Sequence, residues 1–248
     1  MDLGSAGKRA AVAGASSGLG LASARALAAE GVSVAVCGRD RHRIEAAAAS
    51  IGPASVPLIA DVGTPEGATG FVEQAAARLD GTLDILVPTA GGPPPGTFAS
   101  TDLAAYLPAL QLNLLSVVAM CRAAVPAMAA QGWGRVVAIT SITVRQPAPT
   151  LLLSNTARAG ATGFLKTLAL EVAADGVTVN SVPTGLHDTE RLRSLHADPA
   201  AVAAQVPAGV VGRPDDFGAV VAFLCSDAAR FITGAHLPVD GGTYRGLL

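Results

Sequence analysis

The feature that most constrains this chain is a regular alternation of short apolar runs with alanine-rich stretches of helical periodicity. The apolar runs are continuous, which is typical of strands buried on both faces of a parallel sheet. The alternation predicts an α/β fold of the Rossmann type, a doubly wound, seven-stranded parallel sheet with helices on both faces. The predicted strands span residues 9–14, 32–38, 55–61, 83–92, 134–141, 176–182 and 234–242.

The stretches between these runs are interpreted as helices. They span residues 19–31, 40–51, 64–79, 109–132, 154–174 and 214–227. Because no long linker rich in Gly, Ser or Pro divides the chain, we expect a single domain over residues 1–248. Residues 184–213 form the longest region without clear periodicity, and we expect them to be a mobile flap over a substrate site.

The charge balance excludes one class of function. Lys and Arg number 17 and Asp and Glu 19, for a net charge of −2, so nucleic-acid binding has no electrostatic basis. We expect no membrane-spanning helix, which would need about 18 apolar residues without charge, and no signal peptide, because the N-terminus lacks an apolar core. These features predict a cytoplasmic protein.

Three cysteines, Cys37, Cys121 and Cys225, lie far apart in the sequence. An odd number at such spacing fits neither a disulfide framework nor a zinc site. We therefore expect buried, reduced thiols and no metal centre.

A glycine-rich segment, AGASSGLG (13–20), follows the first predicted strand and opens the first predicted helix. Its glycines are Gly14, Gly18 and Gly20. At this position glycines let the backbone turn tightly and approach a pyrophosphate, which binds at the N-terminus of the helix. The context of strand, turn and helix makes the pattern much more specific than the glycine spacing alone.

The same segment also matches a rival motif. Gly14, Ser16 and Gly18 satisfy the G-x-S-x-G pattern of the α/β-hydrolase nucleophile elbow. A hydrolase would also need an acid and then a histidine at strand ends, and neither His187 nor His236 follows a clear acidic strand end. An elbow has no need of Gly20. The cofactor loop is therefore the favoured interpretation.

This loop resembles the cofactor loop of the short-chain dehydrogenase/reductase family. Further segments resemble the same family, so the resemblance covers nearly the whole chain. The matching segments are AGASSGLG (13–20), DV (61–62), TAGG (89–92), VNSVPTG (179–185) and ITGAHLPVDGG (232–242). Thr89 stands where the family usually has asparagine, and Thr184 stands where it has proline. The resemblance implies a Rossmann-type fold, a nicotinamide cofactor and oxidoreductase activity.

The resemblance also implies which residues bind the cofactor. Asp61 and Val62 match a pair that contacts the adenine, and Thr189 matches a threonine that contacts the carboxamide. The full implied set is Gly14, Ser16, Ser17, Gly18, Leu19, Gly20, Arg39, Asp61, Val62, Ala90, Gly91, Arg158, Gly185 and Thr189.

The end of the second predicted strand bears on the choice of cofactor. An acid directly after this strand would bind the ribose hydroxyls of NAD(H), but Gly38 stands there and Arg39 follows. An arginine suits a 2′-phosphate through charge-assisted hydrogen bonds. NADP(H) is therefore favoured, and Asp40 beside Arg39 leaves NAD(H) as the less favoured alternative.

The resemblance breaks at the active site. The family's Tyr-x-x-x-Lys motif aligns with Ser154 and Arg158, whereas Asn113 and Ser141 match two further members of its catalytic tetrad. A serine hydroxyl is a far weaker acid than an activated tyrosine, and arginine stays charged and cannot relay a proton. General acid catalysis is typically worth about 10²–10⁴-fold in rate. Ser154 would equally suit an ordinary helix N-cap, and the two roles are compatible.

Other residues are weighed as sources of the missing proton. Tyr106 and Tyr244 are the chain's only tyrosines, and each is interpreted as a packing or interface residue. His187 lies in the predicted flap, titrates near neutral pH and is a candidate donor, with an exposed loop histidine as the alternative. Arg145 follows Ser141 and would add positive charge to the pocket.

Three functions remain open at this point. The first is an NADP(H)-dependent oxidoreductase acting on a carbonyl or alcohol, with Asn113, Ser141, Ser154 and Arg158 as its catalytic residues. The second is a non-redox isomerase, dehydratase or cyclase in which Arg158 and Ser141 form an oxyanion pocket. The third is a cofactor-binding protein without turnover.

The resemblance and the apolar helices also indicate partners. The substrate would be a small molecule, and Arg158 would suit an anionic one. The family commonly assembles through the helices that correspond to residues 109–132 and 154–174, so we expect a homotetramer or a homodimer.

Overall fold

A six-stranded parallel sheet lies at the centre of the computed structural model, which describes residues 2–195 and 198–247. The strands are β1 (Arg9–Val12), β2 (Ser33–Gly38), β3 (Ser55–Ile59), β4 (Ile85–Val87), β5 (Gly134–Ser141) and β6 (Val177–Thr184). Their spatial order is β3-β2-β1-β4-β5-β6, and every pair is parallel. The chain thus extends the sheet from β1 in both directions, which confirms the doubly wound topology.

The predicted seventh strand is wrong. Residues 234–239 do run beside β6, with parallel bridges from Ser181 to His236 and from Thr184 to Val239, but they form only isolated bridges. The N–H groups of Ser181 and Gly185 donate to Ala235 and Val239 on either side of Pro183. Because Pro183 has no N–H, the bond that would join these two contacts cannot form, and the ladder is interrupted.

Helices cover both faces of the sheet. They are α1 (Gly18–Ala29), α2 (Arg41–Ile51), α3 (Pro65–Arg78), α4 (Tyr106–Leu110), α5 (Ser116–Ala130), α6 (Leu152–Val172), α7 (Glu190–Leu195), α8 (Pro199–Ala203) and α9 (Pro214–Leu224). One core cluster includes Phe71 of α3, Met120 of α5 and Leu165 of α6. A second includes Leu27 of α1 and Phe217 of α9. Each cluster packs against its own face of the sheet, as the sequence pattern predicts.

Two predicted segments differ from the observed structure. The single predicted helix at residues 109–132 consists of α4 and α5 joined by a π-helical turn at Gln111–Leu115. The predicted flap at residues 184–213 contains two short helices, α7 and α8. Their few residues are too short for a helical period to be recognisable in the sequence.

The expectation that no helix could span a membrane is wrong on length and composition. Residues 103–121 carry no charged side chain, and the helical region Leu103–Ala130 is long and apolar enough to qualify, with 33% of its 18-residue window buried. Met120, Cys121 and Met128 of this region lie in the protein core. Leu103 and Leu107 remain exposed, so the region also presents apolar surface.

The three cysteines are free and buried, which confirms the prediction. Burial raises the pKa of the Cys37 and Cys121 thiols to about 12, and burial likewise raises the pKa of Cys225. Among the described residues, no group of His, Cys, Asp or Glu side chains could hold a metal ion.

The packing of α1 on α9 yields a test of the fold. A Cβ added at Gly218 would lie 2.5 Å from the carbonyl oxygen of Ala22, so Gly218→Ala should lower the free energy of unfolding by about 1–3 kcal/mol. At Gly70 in α3 the nearest atom to an added Cβ is the Gln74 Nε2 at 3.8 Å, so Gly70→Ala should stabilise by about 1 kcal/mol. Urea unfolding of both variants measures the difference, and equal effects would contradict this helix packing.

Candidate active site

The candidate site lies where the parallel strands end. The carboxyl ends of β1, β4, β5 and β6 point to one edge of the sheet, so the loops that follow them meet there. Ligands of doubly wound folds bind at this edge, outside the point where the strand order reverses. In this chain the order reverses between β1 and β4.

The glycine loop has the backbone that its sequence predicts. Gly14 and Gly18 have φ of +53° and +59°, in the left-handed region that favours glycine. A Cβ on Gly20 would lie 2.6 Å from the Gly14 carbonyl oxygen. Ser17 is the N-cap of α1 in an extended conformation, and its side chain makes no capping bond. The first turn of α1 therefore keeps free N–H groups, which favour an anion at this position.

The end of β2 carries no acid directed toward the loop. Gly38 packs against Ser16, whose Cβ lies 3.2 Å from the position of an added Cβ. The Asp40 carboxylate is occupied as the N-cap of α2, accepting the Arg43 N–H at 2.9 Å. Arg39 is exposed, and no acidic partner for it is present within the described residues.

Asp61 and Val62, the two residues predicted to contact the adenine, lie in different environments after β3. The Asp61 side chain is exposed and accepts the Gly63 N–H at 2.9 Å, whereas Val62 is buried in the core. The Val62 side chain therefore contributes to packing.

Three side chains donate to the backbone of residues 90–93, the segment after β4 that we call the platform. Asn113 Nδ2 donates to the Gly91 carbonyl at 3.0 Å. Arg158 Nη2 donates to Ala90 at 3.3 Å, and Arg191 Nη2 donates to Pro93 at 3.3 Å. The three donors come from the π-helical turn, α6 and α7. The platform therefore ties together three elements that are distant in sequence.

Asn113 is 2% exposed and lies inside the π-helical turn. Its Oδ1 is buried and has no hydrogen-bond partner within the described part of the chain. Such a turn within a helix is frequently found at functional sites. A buried amide oxygen without a partner is ready to accept a bond from a ligand or a water molecule.

Ser141 ends β5 with its hydroxyl held by Thr143. The Thr143 N–H and Oγ1 donate to Ser141 Oγ at 3.2 and 3.0 Å. Because both contacts use Ser141 as the acceptor, its own proton remains free to donate.

Ser154 is not the N-cap of α6, contrary to one sequence interpretation. The helix begins at Leu152 after the N-cap Leu151, so Ser154 lies in the first turn and is 9% exposed. Arg158 follows one turn later on the same face.

Arg158 is half-buried and holds a charge without an acidic partner in the described chain. Besides Ala90, it donates to the Ile139 carbonyl at 3.3 Å. Burial and, to a smaller extent, the positive charge of Arg191 lower the pKa of Arg158 to about 10. The guanidinium is still charged at neutral pH, so the site carries a positive potential.

The start of the predicted flap contacts the glycine loop. The Thr189 methyl lies 3.5 Å from the position of a Cβ on Gly18, and the Thr189 hydroxyl accepts the Leu192 N–H at 3.2 Å. A Cβ on Gly185 would lie 2.6 Å from Asp240 Cα, so only glycine fits this crossing. Gly185 and Thr189 thus lie beside the C-terminal segment and the glycine loop respectively.

His187 is buried, which contradicts the interpretation of an exposed loop histidine. Its ring makes an edge contact with Phe217, with centroids 5.1 Å apart, and its Nδ1 lies 2.8 Å from Thr184 Oγ1. Burial lowers the pKa of His187, so the ring is neutral at neutral pH. Its role as a proton donor stays a prediction, since the ring is bonded to Thr184, the residue paired with Ser141 in the sheet.

Arg145, considered as a source of positive charge, and His236, considered as a possible hydrolase histidine, both lie beside the C-terminal segment. Arg145 is exposed, with its guanidinium 5.8 Å from the Tyr244 ring centroid. His236 Nδ1 lies 2.7 Å from Ser181 Oγ, and burial lowers the pKa of His236 to about 4, with a smaller effect from Arg145.

Sequence reasoning missed two residues of this site. Thr143 lies two positions after Ser141 and could have been considered as a partner of that hydroxyl. Arg191 had no local signal, because only the fold brings α7 to the platform.

Comparison with known proteins agrees with the geometry. A family model described as enoyl-(acyl carrier protein) reductase matches residues 14–244. The 3-oxoacyl-(acyl-carrier-protein) reductase of Escherichia coli is 36% identical over 239 residues, covering 96% of this chain and 98% of that protein.

Solved structures show the same likeness. A protein named as a short chain dehydrogenase/reductase family protein superposes with a TM-score of 0.90 at 35% identity, covering 98% of this chain and 99% of that one. L-sorbose reductase from Gluconobacter frateurii, solved with NADPH and L-sorbose, has a TM-score of 0.93 at 32% identity and full coverage of both chains. The chain described here belongs to the short-chain dehydrogenase/reductase family.

Proposed function

We propose that this protein is an NADP(H)-dependent oxidoreductase that acts on a carbonyl or alcohol substrate. The observation that carries the proposal is the position of Ser141, Ser154, Arg158 and Asn113 around the edge of the sheet where the glycine loop also lies. The related E. coli reductase and the sorbose reductase with its NADPH support the reaction class. The whole chain would act as one domain, with residues 184–213 as the flap over the substrate.

The residues at the edge of the sheet fit a dinucleotide. Gly14, Gly18 and the uncapped first turn of α1 would hold the pyrophosphate. Ser16, Ser17, Leu19 and Gly20 belong to the same loop, and Asp61 and Val62 would lie at the adenine. A Cβ on Gly91 would meet no atom within 4 Å, which leaves open space over the platform. Ala90, Gly91, Arg158, Gly185 and Thr189 would surround the nicotinamide end.

Arg39 would select the phosphorylated cofactor. It is exposed and without an acidic partner in the described residues, while the neighbouring Asp40 is already used as a helix cap. Charge-assisted bonds from a guanidinium to a phosphate are among the stronger polar contacts in proteins.

A bound NADPH would supply the hydride. Ser141 would donate its free proton in a hydrogen bond to the substrate oxygen, and Thr143 would hold that hydroxyl in place. Ser154, or a water molecule held by Asn113 Oδ1, would deliver the proton to the developing alkoxide, and solvent would restore it. Arg158 would stabilise the negative charge on that oxygen.

The Ser154 and Arg158 pair also supports a second candidate function. Arg158 has no acidic partner among the described residues, lies one turn after Ser154 and donates to Ile139 of the strand that ends at Ser141. Such a charge would stabilise an enolate-like anion, so an isomerase, dehydratase or cyclase is the alternative. Substrate conversion that continues after removal of NADP(H) would favour this second function over the first. If the protein binds the cofactor but converts no substrate, the third function, a cofactor-binding protein without turnover, is favoured.

The cofactor preference can be tested at Arg39. Arg39→Gln removes the proposed phosphate partner, and the preference for NADPH over NADH, measured as the ratio of dissociation constants by calorimetry, should fall by about 10–100-fold. Arg41→Gln is the matched control, because Arg41 is exposed and paired with Glu45 at 3.3 Å. An unchanged ratio in Arg39→Gln would contradict the assignment of NADP(H) through this residue.

The proton path can be tested by restoring the family motif. The double variant Ser154→Tyr with Arg158→Lys supplies an acid that can be activated, and the single-turnover rate of carbonyl reduction should rise about 10²-fold or more. NADPH binding and thermal stability, measured in parallel, establish that the variant is folded. The single variant Ser154→Tyr separates the effect of the acid from that of the cation.

The opposite outcome would reject the reductase site. If the double variant binds NADPH and loses the native activity, the serine and arginine serve different chemistry, and the non-redox function becomes the better account.

The chain would work in the cytoplasm as a homodimer or homotetramer. Helix α4 exposes Leu107 and the π-helical turn before α5 exposes Leu115. A groove of about 490 Å³ runs between α3 and α5 beside Leu115 and Val118. Burying this apolar surface in an interface would stabilise the assembly. Light scattering should give two or four times the mass of one chain, and a monomer at micromolar concentration would contradict the proposal.

A further inference from the structure

Two guanidinium groups lie on the platform. Arg158 reaches the Ala90 carbonyl from α6, and Arg191 reaches the Pro93 carbonyl from α7, each at 3.3 Å. The position of a Cβ on Gly92 lies 3.4 Å from Arg191 Nη2, so the Arg191 side chain lies across the platform. Two cations that share a four-residue segment repel each other, and after burial this repulsion is the second cause of the lowered pKa of Arg158.

The acids nearest to Arg191 in the sequence are committed to other partners. Asp188 makes a two-point contact with Arg193, at 2.8 and 2.9 Å. Glu190 pairs with Arg43 of α2 at 2.6 Å. Within residues 2–195 and 198–247, no carboxylate lies within ion-pair distance of Arg158 or Arg191. Among the described residues, Arg158 and Arg191 are bound by neutral carbonyls and by no acidic group. Arg158 is half-buried, whereas Arg191 is exposed and open to a ligand from solvent.

The proposed cofactor does not account for this charge. Its pyrophosphate would bind the uncapped first turn of α1, and its 2′-phosphate would bind Arg39. Arg158 would also stabilise the alkoxide formed during turnover, but Arg191 has no charged partner in that scheme, so a further anion would fit at the platform arginines. The substrate carbonyl would bind at Ser141, the last residue of β5. Arg158 contacts Ile139 of the same strand, so an anion bound by Arg158 would lie near that carbonyl. We therefore expect the anion to be part of the substrate.

We propose that the substrate is an oxo acid, a carbonyl compound that carries a carboxylate, and that Arg191 determines this specificity together with Arg158. A guanidinium fork matches the two oxygens of a carboxylate. In the reaction, one oxo acid, one NADPH and one proton give one hydroxy acid and one NADP⁺. The inference rests on the proposed function for this redox step, whereas the binding of the carboxylate does not depend on it.

The test compares acids with their esters. Pyruvate, acetoacetate and levulinate place the carboxylate at increasing distance from the ketone, and the methyl ester of each removes the charge. The wild-type protein should prefer at least one acid over its ester by about 10-fold or more in kcat/KM. Arg191→Met should reduce this acid-to-ester ratio by about 10–100-fold, mainly through KM.

A matched control separates charge at the platform from charge on α7 in general. Arg193→Met removes a neighbouring guanidinium that is exposed, like Arg191, but is paired with Asp188, and the acid-to-ester ratio should stay at the wild-type value. Arg191→Lys should recover part of the ratio, because it restores the charge without the fork.

Binding is measured separately from turnover, by calorimetric titration of each acid into the protein with NADP⁺ present. If acids bind and Arg191→Met weakens them, but no carbonyl is reduced, the proposed function fails and the carboxylate site stands. If esters are reduced as well as acids and Arg191→Met leaves the ratio unchanged, the oxo-acid inference is overturned while the reductase function stands. If no acid binds and no acid is reduced, the inference is overturned.

Discussion

Hydrogen bonds to three backbone carbonyls of one short segment hold the candidate site together. The segment 90–93 follows β4, and its carbonyls accept bonds from Asn113, Arg158 and Arg191. These donors belong to three elements that are distant in sequence. The π-helical turn, the start of α6 and the beginning of the flap are therefore positioned relative to β4, and through β4 relative to the glycine loop.

These hydrogen bonds to the platform also explain how a site with Ser154 and Arg158 in place of tyrosine and lysine can retain its geometry. Arginine offers five N–H donors in a rigid fork, so Arg158 can bind two carbonyls and still present donors to a ligand. Burial of Arg158 and, to a smaller extent, repulsion from Arg191 disfavour its charged form and lower its pKa. An anion bound between the two arginines would relieve that repulsion.

The sequence predicts most of the fold and part of the site. Continuous apolar strands and the glycine loop follow local rules, and six of the seven predicted strands are confirmed. Gly14 and Gly18 have positive φ, as the predicted tight turn requires. The predicted seventh strand does not form a continuous ladder because Pro183 of β6 lacks an N–H. This effect depends on the residue of the neighbouring strand, so the sequence of residues 234–242 alone does not show it. His187 and Ser154 differ for a similar reason. Burial against Phe217 and the helix start at Leu152 are decided by tertiary packing. Arg191 reaches the platform only once the chain is folded.

The central claim is that hydride passes from NADPH to a substrate carbonyl at this site. The most direct measurement uses NADPH with deuterium at C4, each of its two positions labelled in turn, and mass spectrometry of the product alcohol. The account predicts one deuterium in the product, on the carbinol carbon, with one of the two labelled cofactors. A product that forms without deuterium from either, and at the same rate after the cofactor is removed, would contradict it.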